Sequence, residues 1–128
     1  MGMIRVFTSK TQQIGQLGED LAVKYLENKD FSIIERNYTL KQGEIDIIAK
    51  KDEILYFFEV KASLFKNSVS YETYNPAENM HPKKIEKFVR TANLYVMNNQ
   101  VSREIRVVLL SVIINQQEKT AKIEMIDF

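Results

Sequence analysis

The chain has 128 residues, the size of one domain with no room for a second core, so residues 1–128 are read as a single unit. A composition of 45% hydrophobic and 27% charged residues excludes the disordered and fibrous classes, and the lack of cysteine removes disulfide frameworks, zinc fingers and thiol nucleophiles. The formal net charge of +1 gives no bulk attraction to a polyanion.

The first periodic segment runs from Gln12 to about Asn28. Ile14, Leu17, Gly18, Leu21, Ala22 and Tyr25 recur at three- and four-residue intervals, one stripe of a helix, with Ser9 or Thr11 as N-cap. From Phe31 the period changes to that of strands: Phe31–Tyr38, a second opened by Gly43 with Glu44–Ala49, and a third over Glu53–Lys61. Residues 62–80 have no period and read as a long loop, with a short helix after Pro76. Pro82 starts a second helix whose apolar stripe is Ile85, Phe88, Val89, Ala92, Tyr95 and Val96. Two strands close the chain, Ile105–Ile114 and Lys122–Ile126, joined by a turn over Gln116–Thr120. The order α-β-β-β-α-β-β predicts an α/β fold, a mixed β-sheet flanked by helices, in which the strands on either side of the second helix can be parallel.

The third strand carries the first chemical signal. Ile54–Phe58 is apolar on both faces, as in a central strand, yet Glu59 and Lys61 follow directly. Charges at the end of a buried strand are costly unless they are paired or coordinated. A hairpin loop of two residues, Lys51 and Asp52, sets Asp46 diagonal to Glu59; a loop of four, Lys51 to Ile54, sets it directly opposite. Both put Asp46 on the face of Glu59 and Lys61, and an odd loop without a bulge would put it on the other. Two carboxylates at that separation repel unless a cation lies between them. Oxygen ligands with open water positions suit Mg²⁺, with Mn²⁺ as the second candidate. A lysine beside such an ion can orient or deprotonate a water, which makes the set suitable for phosphodiester hydrolysis. The competing explanation is a Glu59–Lys61 ion pair at a strand end with Asp46 solvated.

Gly43-Glu-Ile-Asp-Ile-Ile-Ala followed by Phe58-Glu-Val-Lys resembles the D…ExK core of the restriction-endonuclease-like, PD-(D/E)XK, superfamily. Gly18-Glu-Asp-Leu-Ala with Tyr25-Leu26, then Ile34-Glu-Arg-Asn-Tyr, and later Lys84 with Ala92 and Tyr95, resemble more closely the small bacterial YraN-type (UPF0102) endonuclease family, a branch related to archaeal Holliday-junction resolvases. The resemblance implies a restriction-endonuclease-like fold and a metal-dependent endonuclease acting on structured or branched DNA. It implies Asp46, Glu59 and Glu19 as metal ligands, Lys61 as the catalytic lysine and Glu19 as an assisting catalytic carboxylate. It also implies a homodimer, since two strands must be cut. Two positions depart from the family pattern: Ser63 stands where an Arg is usual, and Arg106 where an Asp is usual.

Lys83, Lys84, Lys87 and Arg90 near the start of the second helix are candidate phosphate contacts, or else the solvated face of an amphipathic helix; Lys84 alone among them also matches the family pattern. This lies in the one basic stretch, residues 62–100, with five Lys/Arg against three Asp/Glu, where DNA phosphates would lie. Glu44 is read as secondary, His81 as an exposed loop residue, and Tyr71 and Tyr74 as loop residues able to stack on unpaired bases. No apolar run approaches the ~20 residues that cross a bilayer, and MGMIRVFTSK lacks a secretory cleavage site, so the expectation is a cytoplasmic protein with no membrane partner. A non-catalytic nucleic-acid-binding module of the same fold and a protein-interaction domain are the alternative functions.

Overall fold

The computed structural model describes residues 10–65 and 81–128, with side chains from residue 13. Helix α1 spans Lys10–Asn28, strands β1, β2 and β3 span Ser32–Leu40, Gly43–Lys51 and Ile54–Leu64, helix α2 spans Pro82–Asn98, and β4 and β5 span Ile105–Asn115 and Thr120–Asp127. The architecture is mixed α/β in the order α-β-β-β-α-β-β, as the period changes predict. The loop reading of 66–80, the short helix after Pro76, and Tyr71 and Tyr74 fall outside the described residues. No helix among the described residues is long and apolar enough to cross a membrane.

The five strands lie in the order β1-β2-β3-β4-β5. β3 is central, which is why Leu55, Phe57 and Phe58 are buried on both of its faces. Strand β4 runs parallel to β3, Leu55 beside Ile105 through Leu64 beside Ile114, and the crossover passes through α2. The remaining neighbours are antiparallel. Helix α1 covers one face through Ala22, Leu26, Phe31, Ile47, Phe58, Val108 and Leu110; α2 covers the other through Phe88, Ala92, Tyr95, Ile45, Ile48 and Phe57.

Both helices end by the same device. After α1, Phe31 N–H reaches Leu26 O and Asp30 N–H reaches Glu27 O, with Asp30 in the left-handed region at φ 69°. After α2, Val101 N–H reaches Val96 O and Gln100 sits at φ 51°. Helix α1 already includes Lys10, so Thr11 lies inside it rather than capping it, and Ser9, the other expected cap, falls outside the described residues. Leu17, expected in the apolar stripe, is exposed, and the buried line is Gly18, Ala22 and Leu26. A Cβ at Gly18 would overlap the Cβ of Ala62, so the glycine lets α1 lie directly on β3.

The β2–β3 hairpin turns on Asp52 and Glu53, at φ 51° and 66°, with Lys51 and Ile54 as the closing pair. This is a two-residue turn of the type with two left-handed residues, which matches the right-handed twist of the strands. It yields the register in which Ile47 faces Phe58. That is the register expected of the four-residue loop, reached with a two-residue one displaced by one position.

Candidate metal and phosphate site

The pairing of β2 with β3 stops at Ile47 and Phe58. Beyond that point β2 continues back to Gly43 beside β1, whereas β3 continues to Leu64 beside β4. Two neighbouring strands therefore part, and backbone groups that a ladder would satisfy need other partners. Asp46 supplies one: its Oδ2 accepts the Val60 N–H at 2.7 Å.

Strand β2 also changes face at this point. Ile47 packs among Ala22, Leu26 and Phe58, while Ile45, two residues away, packs with Phe57 and Tyr95 on the opposite side. Regular alternation would place both on one face. The facing strand bends at the same place, with Asn37 at φ 54° between Arg36, opposite Ile47, and Tyr38, opposite Ile45. Asp46 is the pivot, so it reaches the gap between the strands rather than either packed face.

The result is a cleft of about 380 Å³ lined by Gly43, Glu44, Asp46, Glu59, Lys84, Lys87 and Phe88. Glu59 comes from the middle of β3, just past the last residue paired with β2. Its neighbours Phe58 and Val60 pack toward α1, which turns Glu59, Lys61 and Ser63 to the α2 side. Gly43 fits there because a Cβ would meet Thr91 Oγ1 at 2.8 Å, so β2 begins hard against α2. Lys84 and Lys87 arrive from the first two turns of α2, whose start is fixed by Pro82 and by His81, whose Nδ1 accepts the Lys83 N–H at 3.1 Å. His81 is thus exposed, as expected, and also caps the helix.

The electrostatics of the cleft are those of carboxylates short of positive charge. Burial, and next the Glu59 charge, push the Asp46 carboxyl from its ordinary 3.8 up to about 7 against the opposing Val60 N–H; Glu19 and Glu44 add to the rise. Burial also raises Glu59, although Lys84 and Lys61 both oppose it. Lys84 Nζ lies 3.6 Å from Glu59 Oε1. Lys61 is made less basic, first by its hydrogen-bond contact with Lys84 and then by burial, while Glu59 and Asp46 pull the other way.

The sequence-derived residues divide as follows. Asp46, Glu59, Lys61 and Lys84 come together, and Lys87 and the exposed Glu44 line the same cleft. Glu19 approaches from α1 closely enough to act on Asp46, but Arg36 holds its carboxylate at 3.4 Å and Asp20 at 2.7 Å. Lys83 is exposed and outside the cleft lining, and Arg90 pairs with Glu86 on the solvated face of α2. Among the described residues no group of three or more His, Cys, Asp or Glu side chains is gathered tightly enough to cage a metal ion. The donor set fits a hydrated Mg²⁺ held by one or two carboxylates, a mode natural to that ion, better than a closed protein cage.

Of the two departures, Arg106 lies beside Tyr56, three residues before Leu109, the neighbour of Glu59, and so ~10 Å along the strand from the carboxylates. It is exposed and paired with Glu104 at 2.9 Å. Ser63 does lie on the cleft side of β3. Two residues escaped the sequence reading. Arg36 stands inside the motif Ile34-Glu-Arg-Asn-Tyr, but its role was not legible there, because its partners are 16 and 17 residues away. Ser111, 3% exposed and beside Lys61 in the parallel register, left one: it is the polar residue in the apolar run Val107–Ile114.

Residues 18–114 match the model of the family described as "Uncharacterised protein family UPF0102". The chain belongs to that family. A UPF0102 protein of Campylobacter lari is 44% identical over 98 residues, covering 77% of this chain and 81% of the relative. One from Flavobacterium psychrophilum is 39% identical over 111 residues, 87% of each chain, and one from Dictyoglomus turgidum 38% over 105 residues, 81% of this chain and 85% of the relative. The UPF0102 match opens one residue before Glu19 and closes near the end of β4, so it contains every cleft residue and leaves out β5.

Proposed function

We propose that this UPF0102 chain is a metal-dependent endonuclease that hydrolyses phosphodiester bonds in DNA, with Mg²⁺ as the working ion and Mn²⁺ as a substitute. The observation that carries the reading is the meeting of Asp46 and Glu59, from two parting strands, in one cleft with Lys61 and Lys84 beside them. A buried carboxyl that, like Asp46, holds its proton up to about 7 is short of a cation, and hard oxygen donors with room for water suit a divalent one.

Asp46 and Glu59 would hold the ion, with Glu19 reaching its water layer. A bound divalent ion would supply positive charge to polarise the scissile phosphate and acidify a water. Lys61, made less basic by Lys84 and by burial, orients the attacking water and lies where charge on a phosphate oxygen can be met. Lys84 and Lys87 at the start of α2 bind the flanking phosphates, with Lys83 outside the cleft as an outlying contact. A preference for branched DNA, and a homodimer that cuts both strands, follow from the likeness to junction resolvases.

The test is cleavage of linear, flapped and four-way DNA with Mg²⁺ or Mn²⁺. Cleavage by the wild type that is lost in Glu59→Ala and Lys61→Ala, with folding intact, supports the enzyme. DNA binding without cleavage under every metal condition would refute it in favour of a binding module.

A further inference from the structure

We propose that Lys84 is an exchangeable internal counterion: its ammonium occupies the charge position on Glu59 that a divalent ion takes, and entry of the ion releases it toward an anionic ligand. This rests on the metal reading above and deepens it.

Three observations lead here. Glu59 is the more enclosed partner, its side chain 15% exposed, while the Lys84 side chain is 45% exposed and enters from a different element. The contact at 3.6 Å is a loose ion pair rather than a short charge-assisted hydrogen bond. A lysine is a mobile point charge on four methylenes, and an entering divalent ion compensates the enclosed Glu59 in its place, so exchange is inexpensive. Lys84 also lines the cleft at the start of α2, where its side chain can swing from Glu59 toward solvent without any change in the backbone. Among the described residues no arginine lines the cleft to make a rigid two-pronged pair instead.

The consequence is an order of events. Without a divalent ion, Lys84 softens the repulsion between the carboxylates and also presses on Lys61. With the ion in place, two charges replace one at Glu59, and the expelled ammonium faces the mouth of the cleft beside Lys87. Metal and polyanion then bind with positive coupling, because the first frees a cation for the second.

The test is Mn²⁺ binding by calorimetry to the full chain and to Lys84→Gln, Lys84→Arg, Lys87→Gln and Asp46→Ala. Lys84→Gln removes the competitor and should bind Mn²⁺ about three- to tenfold tighter. Lys84→Arg, which keeps the charge and can pair with Glu59 on two prongs, should bind no tighter than wild type, and Lys87→Gln, which removes a charge from the same cleft but no ion pair, should gain less than Lys84→Gln. Equal or weaker binding in Lys84→Gln, or an equal gain in Lys87→Gln, overturns the exchange. If binding is lost in Asp46→Ala yet unchanged in Lys84→Gln, the exchange alone fails; if Asp46→Ala binds like wild type, the metal reading fails with it. In anisotropy titrations of a DNA duplex with Ca²⁺, the wild type should show a log K against log salt slope steeper by about one than without metal, and Lys84→Gln no change. A metal-independent slope in the wild type refutes the release.

Discussion

Asp46→Asn should stabilise this protein at neutral and alkaline pH while abolishing the proposed metal site. In the unfolded chain the carboxyl loses its proton near 3.8, and in the fold near 7. Between those values the fold binds a proton that the unfolded chain has already released. Raising the pH through that window therefore lowers stability, and the loss is complete above about 7. About three pH units at ~1.36 kcal/mol each correspond to about 4 kcal/mol. Part of the rise is repulsion from Glu59, which relaxes when either group is neutral, so about 2–4 kcal/mol is expected from the substitution. The amide keeps an oxygen to accept the Val60 N–H, so the strand junction is preserved. At about 4 °C per kcal/mol for a chain of this size, the melting temperature in chelator at pH 8 should rise by about 8–15 °C. At pH 4 the two proteins should melt within a few degrees of each other. Adding Mg²⁺ at pH 8 should raise the wild type and leave the variant unmoved. A variant no more stable than wild type at pH 8, or pH profiles that run parallel from 4 to 8, would show that Asp46 is not the strained carboxylate described here.

Gly18→Ala places a methyl group against the Cβ of Ala62 where both atoms are fixed to backbone, and should cost about 1–3 kcal/mol in urea unfolding, with Ala62→Gly in the same chain recovering most of it. The hairpin turn holds Asp52 and Glu53 in left-handed conformations that favour Asn and Gly, so the double change Asp52→Asn, Glu53→Gly should stabilise by about 1 kcal/mol in the same assay, the lost pairs from Glu53 to Lys50 and Arg103 being exposed and weak.

The element order was legible because each element announces itself locally. α1 and α2 carry 3.6-residue stripes, Pro82 marks the start of α2, and the two-sided apolar run Ile54–Phe58 declares a central strand. The convergence of Asp46 on Glu59 was legible only in outcome. Parity assumed a strand that alternates throughout, whereas β2 changes face at Asp46 opposite the left-handed Asn37, and the carboxylate reaches its neighbour through the Val60 N–H. Leu17 was misplaced because a hydrophobic stripe has a width but no marked centre, and the close contact of Gly18 with Ala62 decides which side faces the sheet. The clamp of Arg36 on Glu19 and Asp20 needs a helix and a strand to be docked before it exists.

The parting of β2 from β3 explains why the chemistry-bearing residues sit at one place and not elsewhere on the sheet. A fully paired sheet offers no room between strands, and its side chains stand on packed faces where a carboxylate would be uncompensated. Where two strands diverge, backbone donors lose their ladder partners and a concave gap opens between walls that the rest of the sheet holds rigid. A short acidic side chain at the divergence satisfies one such donor and still presents an oxygen to the gap, as Asp46 does. The neighbouring strand, still tied to β4 through Leu64, holds Glu59 and Lys61 in fixed register across that gap. The same divergence leaves space for the start of α2 to bring Lys84 within reach of Glu59. Positive and negative groups thus meet from three elements whose positions are set by hydrophobic burial elsewhere, so substitutions that neutralise the carboxylates should relieve strain rather than undo the fold.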